Sequence, residues 1–121
     1  LVIISDLSSQ SGSDTAKIIL KLNPRPDAIF TSNDTSAVAI IVELLKAGIK
    51  IPEEIAVVGF NNEPISKIIQ PNLTTVDYPA MQIGEIAATS LINKLKSSQS
   101  DNLSTIVLKH KLIIRQSSLK I

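Results

Sequence analysis

Three short apolar runs, Leu1 to Ile4, Ala28 to Thr31 and Ile55 to Val58, are separated by longer stretches of helical period. Runs of about four residues bounded by turn formers suit strands covered on both faces, and helical segments between them suit crossover connections. This alternation predicts an α/β protein built on an open parallel sheet with helices on both faces, the three runs lying side by side. A first helix is expected from about Asp14 to Leu22, with Gly12 in the loop before it, Ser13 as its cap and Pro24 as its stop. The second is sharper: Ala37, Ile40, Ile41, Leu44 and Leu45 fall at i, i+3, i+4, i+7 and i+8, with Asn33 or Asp34 available as cap and Gly48 placed to end the helix. Gly59 permits a tight turn where the third run ends.

After Pro71 the pattern changes. Leu73 to Val76 is a β-branched extended segment, and a long amphipathic helix is expected from about Pro79 to Lys96, with Met81, Gly84, Ala87, Ala88, Leu91 and Leu95 on its apolar side. Residues 97 to 102 (SSQSDN) read as a polar loop, and Thr105 to Ile114 as a partly alternating strand.

Composition removes whole classes of function. The 121 residues fit one domain of ordinary size, able to bury a core without staples. There is no cysteine, hence no disulfide framework, thiolate metal site or Cys nucleophile, which suits a cytoplasmic protein. Twelve basic against eleven acidic residues give a formal charge of +1, so this segment carries no electrostatic footprint for a phosphate backbone. The apolar runs are far shorter than the roughly 20 residues that cross a bilayer. N-x-S/T triplets at Asn33, Asn72 and Asn102 are frequent by chance in a chain rich in Ser and Asn.

Phosphate-cradling, dinucleotide-binding and nucleophile-elbow motifs are all missing, so no catalytic residue, cofactor or metal is expected and an enzyme is disfavoured. The carboxylates Asp6, Asp34 and Glu63 superficially invite a phospho-acceptor reading, yet no lysine follows these strands to complete one. The single histidine, His110, stands between two lysines without a second ligand at metal spacing.

Strand ends carry the remaining signal. In an open parallel sheet the C-terminal ends of the strands share one edge, and ligands bind in the crevice there. Ser5 with Asp6, Ser32 with Asn33 and Asp34, and Asn61 with Asn62 and Glu63 follow the three runs, so they are expected to converge. Short carboxylates and carboxamides at fixed positions suit the hydroxyl pairs of a sugar or nucleoside. The same residue types also cap helices and form Asx turns, a purely structural alternative for Asn33 and above all for Asp34.

Three phrases in fixed order, RPDAIFTSND (25 to 34), IPEEIAVVGFNN (51 to 62) and PNLTTVDYP (71 to 79), followed by LIIRQSS (112 to 118), resemble the effector-sensing domain of the LacI/GalR family of bacterial transcription regulators. The resemblance spans nearly the whole chain. It implies a periplasmic binding protein-like fold of type I, truncated at its N-terminal side, and the DNA-binding domain absent from this chain. Residues 1 to 76 would then be mainly the C-terminal subdomain, 77 to 104 a helix belonging to the other subdomain, and 105 to 121 a returning strand. It further implies a small effector, most naturally a sugar, contacted through Asp6, Asn33, Asp34, Asn61 and Asn62; DNA bound only through a helix-turn-helix outside this chain; no membrane partner; and a homodimer.

Departures from the family pattern matter too. Asn61 stands where the family usually presents an Asp to the effector, so charge-assisted bonds to hydroxyls are lost and a different or weaker effector is implied. Leu7 stands where some members stack an aromatic ring on the sugar. Ala39 replaces a frequent glycine, which favours the helix. Phe60 is expected to pack, and Arg115 of the closing R-x-S to tether backbone carbonyls or pair at the surface. A secreted sugar-binding protein of an ABC transporter shares the two-lobed architecture and is the alternative; the phrase at 71 to 76 and the R-x-S resemble regulators. A dimerisation module without a ligand is a third class.

Overall fold

The computed structural model describes residues 1 to 96 and 105 to 119. The polar loop expected at 97 to 102, the triplet at Asn102 and the end of the 77 to 104 segment lie outside the described residues. Helix α1 (Ser9–Leu20) precedes strand β1 (Ala28–Phe30); helix α2 (Asp34–Lys46) joins it to β2 (Ala56–Phe60). A 3-10 turn over Pro64–Lys67 leads to β3 (Thr74–Asp77), then come helix α3 (Ala80–Lys96) and β4 (Lys111–Ile113). The four strands form one sheet in the order β1-β2-β3-β4. β1 runs parallel to β2, with Ile29 opposite Val57, and β2 parallel to β3, with Gly59 opposite Thr75.

The chain divides into two compact units, Leu1–Asp77 with Leu112–Ile121, and Tyr78–Lys111. The core of the first is built where the helical spacing put it: Ile40, Ile41 and Leu44 of α2 are buried with Ile55, Val57 and Leu73, and Ala16 and Ile19 of α1 join them. α1 and α2 meet closely because Gly12 lies on the contact. A Cβ there would stand 2.7 Å from the Ser36 carbonyl oxygen and 2.9 Å from the Ala39 methyl. Asn33 caps α2, its Oδ1 accepting from the Ser36 amide at 3.0 Å, and Gly48 follows the helix at φ 80°, a conformation cheap only without a side chain. In the second unit α3 buries none of its residues, and the Tyr78 ring lies 6.4 Å from the His110 ring.

Four sequence expectations are corrected. Leu1 to Ile4 is not a strand and joins no ladder. Leu1, Val2 and Ile4 are each nearly nine-tenths exposed or more, and Leu1 and Ile3 line a cavity of about 260 Å³ together with Ala28 and Phe30 of β1, the edge strand. Apolar character marks a segment able to be buried; it does not supply the neighbouring backbone that a strand needs. The first helix begins at Ser9 rather than Asp14, because Ser8 takes the cap: its Oγ accepts from the Ser11 amide at 3.1 Å. Gly12 therefore sits inside the helix and not in a loop. Finally, the strand expected over Thr105 to Ile114 shrinks to three residues, the segment 105 to 110 having no regular structure.

Candidate functional site

The C-terminal ends of β1 and β2 deliver their polar clusters to one edge, and the connections between them are direct. Asn33 Nδ2 donates to the Leu7 carbonyl at 2.8 Å, tying the loop 5 to 8 to the start of α2. Ser36 Oγ donates to the Ser8 carbonyl at 3.3 Å, a second tie between the same two segments. Thr35 Oγ1, on the first turn of α2, donates to Glu63 Oε2 at 3.1 Å, and Asn61 Nδ2 donates to Glu63 Oε1 at 3.2 Å. Thus the loops after Leu1 to Ile4, after β1 and after β2 converge, although the first of these runs is not a strand.

Three non-glycine residues on this edge adopt positive φ: Leu7 at 62°, Asn61 at 111° and Asn62 at 54°. Such conformations cost about 1–3 kcal/mol each unless neighbours hold them, and they concentrate where a chain presents groups to a ligand. Here they are held. The Leu7 carbonyl is gripped by Asn33, the Asn61 amide donates to the Val76 carbonyl at 2.9 Å, and the Asn62 amide donates to Thr75 Oγ1 at 3.2 Å.

The five residues singled out from sequence take different positions. Asp6 is exposed, with Oδ1 accepting from the Ser8 amide at 3.0 Å; hydrogen bonds from Ser8 and Ser11 hold its carboxyl below its ordinary range. Asn33 is half-buried and uses both ends of its carboxamide, one for the cap and one for Leu7. Asn61 is half-buried on the rim beside Glu63. Asn62 is turned along the sheet edge: its Nδ2 donates to Asp77 Oδ1 at 3.1 Å and its Oδ1 accepts from Arg115 Nη2 at 2.9 Å.

Asp34 is fully buried beneath the rim. Its Oδ1 accepts from Thr75 Oγ1 at 2.6 Å and its Oδ2 from the Glu63 amide at 2.7 Å. Burial pushes its pKa above the ordinary value, opposed by these two hydrogen bonds. Gly59 makes room for this arrangement, since a Cβ there would overlap Asp34 Oδ1. The carboxylate therefore clamps α2, β3 and the loop after β2 to one another, the structural role that its residue type and position allowed.

Sequence reasoning passed over Thr35 and Thr75 as working members of the edge, whereas Glu63 was expected there with Asn61 and Asn62. Thr75 was visible only as a β-branched residue of an extended segment, and nothing local announces that its hydroxyl reaches a carboxylate 41 positions away. Arg115 does tether a carbonyl, donating from Nη1 to Leu73 O at 2.7 Å, and it also reaches Ser66 Oγ and Asn62. Among the described residues no three His, Cys, Asp or Glu side chains are grouped to hold a metal ion, and no helix is long and apolar enough to cross a membrane.

Fold and rim together define a periplasmic binding protein-like domain, and the sequence profile of that domain matches residues 3 to 118. The chain is 42% identical over 100 residues to the NTD biosynthesis operon regulator NtdR of Bacillus subtilis, covering 83% of this chain and 30% of that protein. It is 36% identical over 111 residues to a lactose operon repressor of Rhizobium radiobacter, covering 92% of this chain and 96% of that sequence. Among solved structures, a LacI family transcriptional regulator from Lactobacillus casei with bound sucrose superposes with a TM-score of 0.77 at 32% identity, over 98% of this chain and 46% of that one. Within the periplasmic binding protein-like class, the chain belongs to the LacI family of transcriptional regulators. It spans about a third of the length of the B. subtilis relative and under half of the L. casei chain.

Proposed function

We propose that this chain is the C-terminal part of the effector-sensing domain of a LacI-type DNA-binding regulator, and that its effector is a sugar or a related polyhydroxylated small molecule. The observation that carries this reading is the clustering of left-handed Leu7, Asn61 and Asn62 on the strand-end edge, where α/β folds bind ligands. Asn61 and Asn33, with the neighbouring Glu63 carboxylate and Asp6, supply donors and acceptors to ring hydroxyls, while Asn62 and Asp34 hold the rim in shape from behind. The carboxamides offer neutral hydrogen bonds and the two carboxylates charge-assisted ones, which are roughly twice as strong.

In this reading the effector shifts the population of two arrangements of a homodimeric protein, and the shift reaches DNA-reading segments outside this chain. Only a difference in effector affinity between the two arrangements can drive it. The relatives are regulators, which favours this reading over a periplasmic sugar-binding protein of an ABC transporter. A lone sugar-binding protein would have no operator. The test is operator affinity of the full-length protein by fluorescence anisotropy, with and without millimolar D-glucose, D-ribose, lactose or sucrose. At least one of these is expected to change the affinity about fivefold or more; sugar binding without any DNA binding would favour the transporter reading instead.

A further inference from the structure

Polypeptide leaves the first unit at Asp77 and re-enters it at Leu112, so a change at the rim that reaches these two positions reaches the connections to the second unit. One side chain near the re-entry touches both the rim and the residue before the outgoing strand. Arg115, three residues after the re-entry, donates from Nη2 to Asn62 Oδ1 at 2.9 Å and from Nη1 to the Leu73 carbonyl at 2.7 Å and Ser66 Oγ at 3.1 Å. Its backbone is locked to the outgoing strand as well: the Arg115 amide donates to Thr74 Oγ1 at 2.8 Å, and Thr74 Oγ1 donates to the Arg115 carbonyl at 3.0 Å. Asn62 passes the connection on, because fixing its Oδ1 on the guanidinium aims its Nδ2 at Asp77 Oδ1, at 3.1 Å. Asp77 is the last residue before the chain departs.

Asn62 is also the residue following Asn61 on the rim, and both are in left-handed backbone conformations. A ligand that pulls on Asn61 therefore acts on a peptide unit whose next side chain is fixed at both ends. Rotation of that unit cannot occur without changing the Asn62 bonds to Arg115 or to Asp77. A carboxamide can serve here because it accepts with one end and donates with the other. An aspartate would accept from Arg115 yet face the Asp77 carboxylate without a proton to share.

We infer that Arg115, Asn62 and Asp77 form a relay that couples the effector rim to the two chain crossings, with Arg115 as a positioning residue that contacts no effector. The inference rests on the sensing role proposed above. It differs from a simple packing role in its energetics: breaking the relay changes the ratio of operator affinities with and without effector, whereas a packing defect lowers stability and leaves that ratio alone.

The experiment uses the full-length regulator, with operator affinity measured by fluorescence anisotropy in the absence and presence of millimolar D-glucose, D-ribose, lactose or sucrose, and with sugar affinity measured by calorimetry. Wild type is compared with Arg115→Gln, Arg115→Lys, Asp77→Ala and the double variant Arg115→Gln/Asp77→Ala. For Arg115→Gln the effector-dependent ratio is expected to fall about fivefold or more while sugar affinity changes less than about threefold. Lysine does not restore it, since one ammonium lacks the fork that reaches Leu73 and Asn62 together. The double variant is expected to lose no more than Arg115→Gln alone, because groups acting in one chain are not additive. A full ratio in Arg115→Gln, or strict additivity in the double variant, overturns the relay and leaves sensing intact. Absence of any sugar-dependent change in wild type overturns sugar sensing and the relay with it.

Discussion

Thr75 Oγ1 donates a 2.6 Å hydrogen bond to Asp34 Oδ1, and both residues are completely buried. The bond links the first residue of α2 to the middle of β3, with the Glu63 amide on the other carboxylate oxygen. One carboxylate thus sets the spacing of three segments beneath the candidate site.

Asp34→Ala would strip the acceptor from two donors, at a cost of about 1–3 kcal/mol for each one left unsatisfied. The pH dependence follows from the direction of the shift. Because burial raises the Asp34 pKa in the folded state, the fold binds this proton more tightly than the unfolded chain does. Its contribution to stability is therefore greatest below the ordinary value of 3.8, declines as pH climbs from there through the raised folded value, and is level above it. Urea unfolding at a series of pH values should show this slope in wild type and lose it in Asp34→Asn. That variant can keep both partners by accepting from the Glu63 N–H with its carbonyl oxygen and donating from its amide to Thr75 Oγ1, so it is expected to be less destabilised than Asp34→Ala.

Two glycines should resist substitution. Gly→Ala inside a helix ordinarily stabilises by about 1 kcal/mol, but at Gly12 the new methyl would meet the Ser36 carbonyl and Ala39 across the α1–α2 contact. Overpacking of this kind costs about 1–3 kcal/mol, so Gly12→Ala is expected to be net destabilising. Gly59→Ala should be worse, because its methyl would displace the Asp34 carboxylate. Thermal melts of both variants against wild type decide the order; a Gly59→Ala melt equal to wild type would contradict the clamp.

Helix α3 carries Met81, Leu91 and Leu95 exposed, with Gly84, Ala87 and Ala88 near them in the helical pattern. Apolar surface on this scale is uncommon on a monomer and marks a contact surface. The 121-residue chain should therefore self-associate, with light scattering showing a mass that rises with concentration. Leu91→Asp should move the equilibrium towards monomer and Asn93→Asp should not; a strictly monomeric wild type at high concentration would contradict this.

What the sequence disclosed followed from how local each signal is. The spacing of Ala37, Ile40, Ile41 and Leu44 marked the face of α2 that is buried, although Leu45 of the same pattern is exposed, and the cap was narrowed to Asn33 or Asp34, of which Asn33 takes it. β1 and β2 were legible as compact apolar runs between helices. Leu1 to Ile4 looked the same and failed, because pairing depends on a second backbone that composition does not report. The start of α1 moved by five residues since Ser8, Ser9, Ser11 and Ser13 all stand just before Asp14 and each is a residue type that can cap. At the site, Asn61 and Asn33 were visible from type and position. The burial of Asp34, the turn of Asn62 towards Asp77 and the reach of Arg115 all arise from contacts between distant positions.

The central claim is that the rim around Asn61 and Asn33 recognises a small polyhydroxylated effector in a LacI-type regulator. The most direct measurement is isothermal titration calorimetry of the full-length protein with D-glucose, D-ribose, lactose and sucrose, repeated on Asn61→Ala. The account predicts saturable binding of at least one sugar by wild type. It also predicts that the variant weakens this binding about tenfold, corresponding to about 1.4 kcal/mol, while keeping its melting temperature. Equal affinity in wild type and Asn61→Ala, or no heat with any of the four sugars, would contradict it.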